Sequence, residues 1–286
     1  MHIIGQQKLL NELNFDNKVI LLVGRKGQGK KTIARYIAEK TNRQCVVVET
    51  TAQSIREMIE MANTITEPVL YVIPDIQDMN VAASNSLLKV LEEPPNNAKF
   101  VLTVNTRDNV LDTIKSRAIL YSMDEYTKQE LEQMYTILTT VHNKNLDERI
   151  DNMEEILTFC HNYYELEMLI SVYNFEEFKD FIDLVANSLH IVNSANSFKI
   201  SNNIKIKDED EGYDIDIFLN CMYMKYFKLA FEGDTDRIFY MNCVGATLYS
   251  INQLTIPGIN KQAILDGWIL TIRKMYREKR ESNDIE

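Results

Sequence analysis

The residues best suited to chemistry form a glycine-rich segment near the N-terminus. Glycines let backbone N–H groups turn inward around a phosphate, the N-terminus of a following helix adds positive charge, and a lysine reaches the β- and γ-phosphates. The segment follows a strand-like apolar run and opens a helical pattern, and it reads Gly24-Arg25-Lys26-Gly27-Gln28-Gly29-Lys30-Lys31-Thr32. The spacing and the context predict a P-loop in which Gly24, Gly27 and Gly29 shape the loop and Lys30 contacts phosphate.

The position after Lys30 does not suit catalysis. A P-loop that hydrolyses ATP has Ser or Thr there, because its hydroxyl binds Mg²⁺. Lys31 places a cation at that position. Thr32 lies one residue later, about 100° further around a helix, so we do not expect it to replace the missing hydroxyl.

A second phosphate-site strand shows the same loss. Such a strand should end in an Asp that holds the metal, followed by an acidic residue that orients water. The strand Val69–Ile73 is followed instead by Pro74 and then by Asp75, which is shorter than Glu. With two metal contacts missing, we expect very slow phosphoryl transfer. Weak binding of ATP or ADP without productive Mg²⁺ stays open, and no metal site is expected.

These residues require an α/β scaffold, which the first 123 residues predict. Short apolar runs, as expected for strands covered on both faces, alternate with helical patterns. The helices include Ser54–Ala62, with a capping box from Ser54 and Glu57, and a stretch from Asn80 to Glu92 that Pro94 and Pro95 stop. The predicted strands of a parallel five-stranded sheet are Val19–Val23, Cys45–Val48, Val69–Ile73, Phe100–Val104 and Ile119–Tyr121.

After Met123 the pattern becomes helical. Thr127 and Glu130 form another capping box. Ser201–Gly212 is polar and predicts a loop. Aromatic residues recur at helical spacing and predict core packing: Phe218, Tyr223, Tyr226, Phe227 and Phe231. The predicted helices are Asp147–Cys160, Tyr164–Val172, Phe175–Leu189, Ile217–Phe231, Ile238–Gln253 and Lys261–Lys279.

Composition limits the function classes. The net charge of the 286 residues is −11. A protein that grips DNA phosphates unaided is usually basic, so acidity favours protein partners, with DNA contact only as a minor member of an assembly. Four dispersed cysteines suggest neither a zinc site nor a disulfide framework. No membrane span and no signal peptide are indicated, so we expect a cytoplasmic protein.

The segment after Pro74 resembles the bacterial clamp-loader subunits of DNA polymerase III, which are AAA+ proteins. The strand Phe100–Asn105 resembles their sensor-1 strand and puts Asn105 at the sensor position. Leu111–Ala118 resembles their serine-arginine-cysteine segment, with Ala118 in place of cysteine, and puts Arg117 at the arginine-finger position. The resembling run before them reads Asp75-Ile76-Gln77-Asp78-Met79-Asn80-Val81-Ala82-Ala83-Ser84-Asn85-Ser86-Leu87-Leu88-Lys89-Val90-Leu91-Glu92-Glu93-Pro94-Pro95.

The resemblance implies a subunit of the delta-prime type, which keeps the finger while its own nucleotide site decays. It implies an AAA+ core at residues 1–123, a helical lid at 124–173 and a helical collar for oligomerisation at 174–286. The implied partners are other subunits of a hetero-pentamer, a sliding clamp and, indirectly or weakly, primer-template DNA. The family's four-cysteine zinc module is missing, and Tyr163, Tyr164 and Glu165 stand where a glycine-x-arginine sensor 2 is expected.

Two other interpretations stay open. The chain could be an active P-loop ATPase motor subunit that tolerates Lys31 and Pro74, or a non-replicative AAA+ adaptor. Arg117 could be an ordinary surface arginine. The basic run from Arg273 to Arg280 could touch DNA, although cations near the end of a solvated helix are the simpler interpretation.

Overall fold

A computed structural model describes residues 3–141, 147–189, 200–206, 212–232, 236–256 and 258–283 of the chain. The chain forms two units. Unit 1 comprises Met1–Met134 and His161–Tyr164, and unit 2 comprises Tyr135–Cys160 and Glu165–Glu286.

Unit 1 is built on a five-stranded sheet in which all pairings are parallel, in the order β2-β3-β4-β1-β5. The sequence predicted all five strands. The observed bounds differ at β2, which lies one residue earlier, at β4, which begins two residues earlier, and at β5, which ends one residue later. The strands are β1 Val19–Val23, β2 Gln44–Val47, β3 Val69–Ile73, β4 Ala98–Val104 and β5 Ile119–Ser122.

Both faces of the sheet are covered, which explains the continuous apolar runs. Alternate side chains of a strand point to opposite faces. In β1, Leu21 packs in one core cluster with residues from the helices after β2 and β3. Its neighbours Ile20 and Leu22 pack in a second cluster with the helix that follows the P-loop. Unit 1 is therefore a three-layer α/β/α sandwich.

Two helix starts test the capping predictions. The Thr127 N–H donates to Glu130 Oε2 (2.7 Å) and the Glu130 N–H to Thr127 Oγ1 (3.3 Å), which confirms that capping box. The box predicted from Ser54 and Glu57 is wrong, because the helix begins earlier and Thr51 caps it by accepting the Ser54 N–H at 3.1 Å. The first six helices are α1 Gln7–Glu12, α2 Lys30–Lys40, α3 Ala52–Thr64, α4 Val81–Glu92, α5 Asp112–Lys115 and α6 Lys128–Val141. Short 3-10 turns cover Ile76–Asp78 and Arg107–Asn109.

The rest of the described chain is mainly helical, as predicted. Within the predicted loop Ser201–Gly212, Ile204 and Lys205 form a short strand that pairs in parallel with Tyr213–Asp214, just after the loop. Residues 207–211 of that loop lie outside the described residues. The elements are α7 Asp147–Thr158, α8 Tyr163–Glu167, a π-helical turn Met168–Val172, α9 Phe175–Ser188, β6 Ile204–Lys205, β7 Tyr213–Asp214, α10 Ile215–Glu232, α11 Arg237–Leu254 and α12 Lys261–Asn283.

The core of unit 2 centres on buried Trp268, whose Nε1–H donates to Thr247 Oγ1 at 2.9 Å and whose ring meets Phe218 edge-on at 5.4 Å. The predicted aromatic core is only partly correct. Phe218 and Tyr226 are buried, whereas Phe227 and Phe231 are 39% and 56% exposed. The difference follows from helical periodicity. Residues 218, 222, 226 and 230 lie on the buried face of α10, whereas Phe227 and Phe231 lie on another face.

Within the described residues, none of the helices has both the length and the apolar character needed to cross a membrane.

Candidate functional site

The strand order brings the predicted phosphate-site residues together. In the sheet, β3, β4 and β1 are neighbours, and parallel strands end at the same edge. Gly24 follows β1 and its N–H donates to the carbonyl of Val104, the last residue of β4, at 3.0 Å. Asp75 follows β3 and Asn105 follows β4. The P-loop, the acidic position and the sensor position therefore lie side by side at the carboxyl edge of the sheet.

Lys30, the first residue of α2, turns back onto its own loop. Its Nζ donates to the carbonyl of Gly24, to the carbonyl of Arg25 (3.2 Å) and to Asn105 Oδ1 (2.9 Å). An ammonium group has three protons, so these three acceptors use its full capacity. Burial lowers the pKa of Lys30 to about 8, while the nearby Asp75 carboxylate opposes that shift and the Lys31 charge adds to it. The phosphate-binding lysine is thus satisfied by protein atoms.

Gln28 occupies space inside the loop. Its side chain is buried, and its Oε1 accepts the Arg25 N–H at 2.6 Å. The hydroxyl of Tyr126 donates to the Gln28 carbonyl at 3.0 Å. The loop amide of Arg25, which in a P-loop would be free to face a phosphate, is therefore engaged by a side chain of the same loop.

A four-residue segment from far along the sequence covers Gly27. The φ of Gly27 is +85°, in the region that favours glycine. A Cβ at this position would lie 2.2 Å from Asn162 Oδ1 and 2.6 Å from Tyr164 Cβ, so only glycine fits. Lys26 Nζ lies 3.8 Å from the centre of the Tyr164 ring, a cation–π contact. Tyr164 thus stands over the loop at the position where the sequence lacks sensor 2.

The residues at the positions where an active P-loop protein binds Mg²⁺ do not fit that ion. Mg²⁺ prefers oxygen ligands in octahedral geometry. Lys31 is exposed and cationic, Thr32 is half-buried on the first turn of α2, and Pro74 offers no side-chain oxygen. Asp75 has a left-handed backbone (φ +50°), and its N–H donates to Thr103 Oγ1 at 3.0 Å. Within residues 3–141 and the other described ranges, no three His, Cys, Asp or Glu side chains are grouped to hold a metal.

Arg117 lies at the opposite end of the strands, at the amino-terminal edge of the sheet. It precedes β5, whose residue Ile119 pairs with Ile20 near the start of β1. Its NH1 donates to the Thr113 carbonyl (2.7 Å) and to Ser116 Oγ (3.2 Å), and its NH2 donates to Glu92 Oε1 at the end of α4. The predicted site residues therefore fall into two groups: the P-loop residues with Asp75 and Asn105 at one edge, and Arg117 at the other.

Sequence reasoning missed four residues of this arrangement: Gln28 and Tyr126 inside the loop, and Asn162 and Tyr164 above it. Gln28 is within the motif, but nothing in its type shows that its side chain folds inward. The other three are distant in sequence, and only the tertiary structure brings them to the loop. Their one sequence signal was the missing glycine-x-arginine near Tyr164.

The sheet order, the P-loop after β1 and the layered helices define an AAA+ fold. Two solved structures of RuvB from Thermotoga maritima share it. One is a mutant with a TM-score of 0.52 and 17% identity, covering 86% of this chain and 83% of that one. The other, titled a Holliday junction branch migration motor, has a TM-score of 0.51 and 18% identity, covering 92% and 88%. The predicted fold class, a parallel five-stranded α/β core followed by a helical region, is confirmed.

Sequence comparisons add the more particular relationship. Residues 46–127 match the family model described as DNA polymerase III, delta subunit. The chain is 24% identical over 278 residues to a DNA polymerase III subunit gamma of Buchnera aphidicola subsp. Schizaphis graminum, covering 86% of this chain and 66% of that protein. It is 39% identical over 57 residues to a subunit delta' of the Baizongia pistaciae subspecies, covering 20% of this chain and 17% of that protein.

These matches confirm the resemblance to bacterial clamp-loader subunits of DNA polymerase III. The chain spans less than two thirds of the curated relatives that it matches first, with 66%, 39% and 48% of their lengths covered. All three of these relatives are named subunit gamma. The delta-prime type and the role of Arg117 stay predictions.

Proposed function

We propose that this chain works as a clamp-loader subunit of the delta-prime kind. Its P-loop does not hydrolyse ATP, and its Arg117 contacts the γ-phosphate of ATP bound by a neighbouring subunit. The single observation that carries the proposal is the placement of Arg117 and the P-loop at opposite edges of one sheet. β1 has five residues and rises roughly 16 Å between those edges, at ~3.3 Å per residue. An arginine so placed cannot reach its own loop, but it can face a nucleotide held by another subunit.

The state of the P-loop supports the same proposal. The two contacts that would hold Mg²⁺ are replaced by Lys31 and Pro74, and Lys30 is engaged by three protein acceptors. Hydrolysis would require both metal binding and release of Lys30 toward a phosphate. We therefore expect ATP or ADP to bind weakly and without productive Mg²⁺.

The role proposed for Arg117 is electrostatic. A guanidinium group is always charged and can address two oxygens of a γ-phosphate at once. Positive charge at that point stabilises the transition state of phosphoryl transfer in the neighbouring site. In an active subunit, the acidic position of Asp75 would orient water and the sensor position of Asn105 would contact phosphate. In this chain we assign both residues to a degenerate site.

Assembly is assigned to the helical part of the chain. We propose the division into a core (1–123), a lid (124–173) and a collar (174–286), with the collar joining a hetero-pentamer. Unit 2 exposes large apolar side chains on its last three helices: Phe231 (56%), Ile238 (80%), Tyr249 (66%) and Leu270 (62%). Such residues are typical of protein interfaces. The complex would act in the cytoplasm on a sliding clamp, and this acidic subunit would contact primer-template DNA indirectly or weakly.

One observation favours a second candidate, an active ATPase motor subunit. Three of the relatives, among them the one with the longest match, are named gamma, and Lys30 still occupies the phosphate-binding position of the loop. In that case Lys31 and Pro74 would have to be tolerated, and the isolated chain would bind Mg·ATP and turn it over.

The test replaces Arg117 by Ala, and by Lys as a matched cation, in the complex purified with its partner subunits. Loss of an arginine finger lowers the rate on the order of 10³–10⁵ in simpler P-loop systems. Because a clamp loader has other active sites, we expect a fall of about tenfold at saturating ATP, with Lys rescuing little. Subunit stoichiometry, measured by mass, should not change. An intact complex with an unchanged rate would exclude the finger.

A further inference from the structure

Glu92 has an unusual location for a carboxylate. It is the last residue of α4, and Glu93, Pro94 and Pro95 follow it. Negative charge at a helix C-terminus is disfavoured by the helix dipole. A nearby cation offsets that cost, and for Glu92 the cation is Arg117, whose NH2 donates to Glu92 Oε1. The pair links the end of α4 to the turn between α5 and β5.

The remaining contacts of Arg117 fix the orientation of its guanidinium. NH1 donates to the Thr113 carbonyl at 2.7 Å and to Ser116 Oγ at 3.2 Å. Nε is buried and has no hydrogen-bond partner among the residues that the structure describes. Both terminal nitrogens are thus bound within the chain. NH1 has both protons engaged and NH2 has one proton on Glu92, so the two terminal nitrogens can bind a phosphate together only when these contacts break.

We propose that Glu92 is a positioning residue that holds Arg117 in a resting orientation and competes with a neighbour's γ-phosphate for it. This inference rests on the proposed function of Arg117. Glu92 offers one oxygen to NH2, whereas a γ-phosphate offers several oxygens and more negative charge, so it binds a guanidinium in bidentate fashion. The phosphate replaces Glu92 as the partner of Arg117 only when it is held close to the arginine, as it is when two subunits are in contact.

The exposure of the pair suits a contact that must break. The side chains of Arg117 and Glu92 are 28% and 53% exposed. Pairs so open to solvent are weak and are screened by salt. The neighbouring cation Lys115 does not replace Arg117 at Glu92, because it pairs with Asp112 at 3.1 Å. The ion pair with Glu92 is therefore strong enough to favour one orientation of Arg117 and weak enough to break when a phosphate approaches.

The experiment compares Glu92→Gln with Glu93→Gln in the purified complex. Glu93 is exposed and forms no ion pair in the part of the chain that the structure describes, so its substitution removes the same charge one residue away. Glu92→Gln should raise the ATPase rate measured without clamp and DNA about threefold, the size expected for losing a partly exposed ion pair. Glu93→Gln should leave that rate unchanged, and both complexes should keep their stoichiometry.

A double substitution separates the two hypotheses. If Glu92 acts through Arg117, then Glu92→Gln combined with Arg117→Ala should match Arg117→Ala alone. If Arg117→Ala lowers the rate but Glu92→Gln leaves it unchanged or lowers it, the competitor role of Glu92 is wrong and the finger stands. If Arg117→Ala has no effect on an intact complex, the proposed function and this inference both fail.

Discussion

The two cations at opposite edges of the sheet differ in how they are held. Lys30 is 8% exposed, and its partners are two carbonyls of its own loop and the amide oxygen of Asn105. Arg117 is more exposed, and one of its two anchored nitrogens is held by a flexible carboxylate side chain. The first cation has become part of the scaffold, whereas the second can be released. In the proposed function, the nucleotide site has become a structural element, while the arginine proposed to act on another subunit's nucleotide stays available.

The largest expected difference between the two edges is in the activity of the complex. Lys30→Ala should leave its ATPase rate within about twofold of wild type, because in the proposed function this P-loop does not turn over ATP. Under the proposed function, Arg117→Ala should lower the same rate about tenfold. The isolated chain should then show no ATPase activity above background. Steady turnover by the isolated protein that Lys30→Ala abolishes would reverse the comparison and support the motor interpretation.

A smaller difference is expected in stability. Asn105→Ala removes one of three acceptors from a buried ammonium group, which should reduce the free energy of unfolding by about 1–3 kcal/mol. Asn85→Ala, on an exposed position of α4, is the matched control and should change it by less than about 0.5 kcal/mol. Denaturant titration gives both values. If the two variants are equally stable, Lys30 does not depend on Asn105.

The smallest expected effect is a pH dependence at the P-loop. Burial lowers the pKa of Lys30 to about 8 in the folded chain, from 10.5. Between these pH values the unfolded chain binds the extra proton, so stability rises with pH. The free energy of unfolding of wild type, relative to Lys30→Met, should therefore increase by about 1–2 kcal/mol from pH 7 to pH 10. Parallel profiles for the two proteins would show that the ammonium group is not buried in solution.

The sequence was informative wherever a local rule decides the structure. Five strands, the P-loop turn and the capping box at Thr127 follow from periodicity and from side chains that bond to nearby backbone. The predicted start of α3 is wrong because Thr51 and Ser54 are both good caps, and the helix uses Thr51, which accepts the Ser54 N–H. The cover of Asn162 and Tyr164 over Gly27 could not be predicted, because it depends on how distant segments meet.

That cover also has a consequence for synthesis. All five strands and the whole P-loop precede Asn162 by dozens of residues or more. Ribosomes add roughly 5–20 residues per second, and domains begin to fold as they emerge. For several seconds a growing chain therefore has its sheet complete while Gly27 is still uncovered. The P-loop is most accessible to a nucleotide on the ribosome, and it closes when the four residues from His161 to Tyr164 arrive.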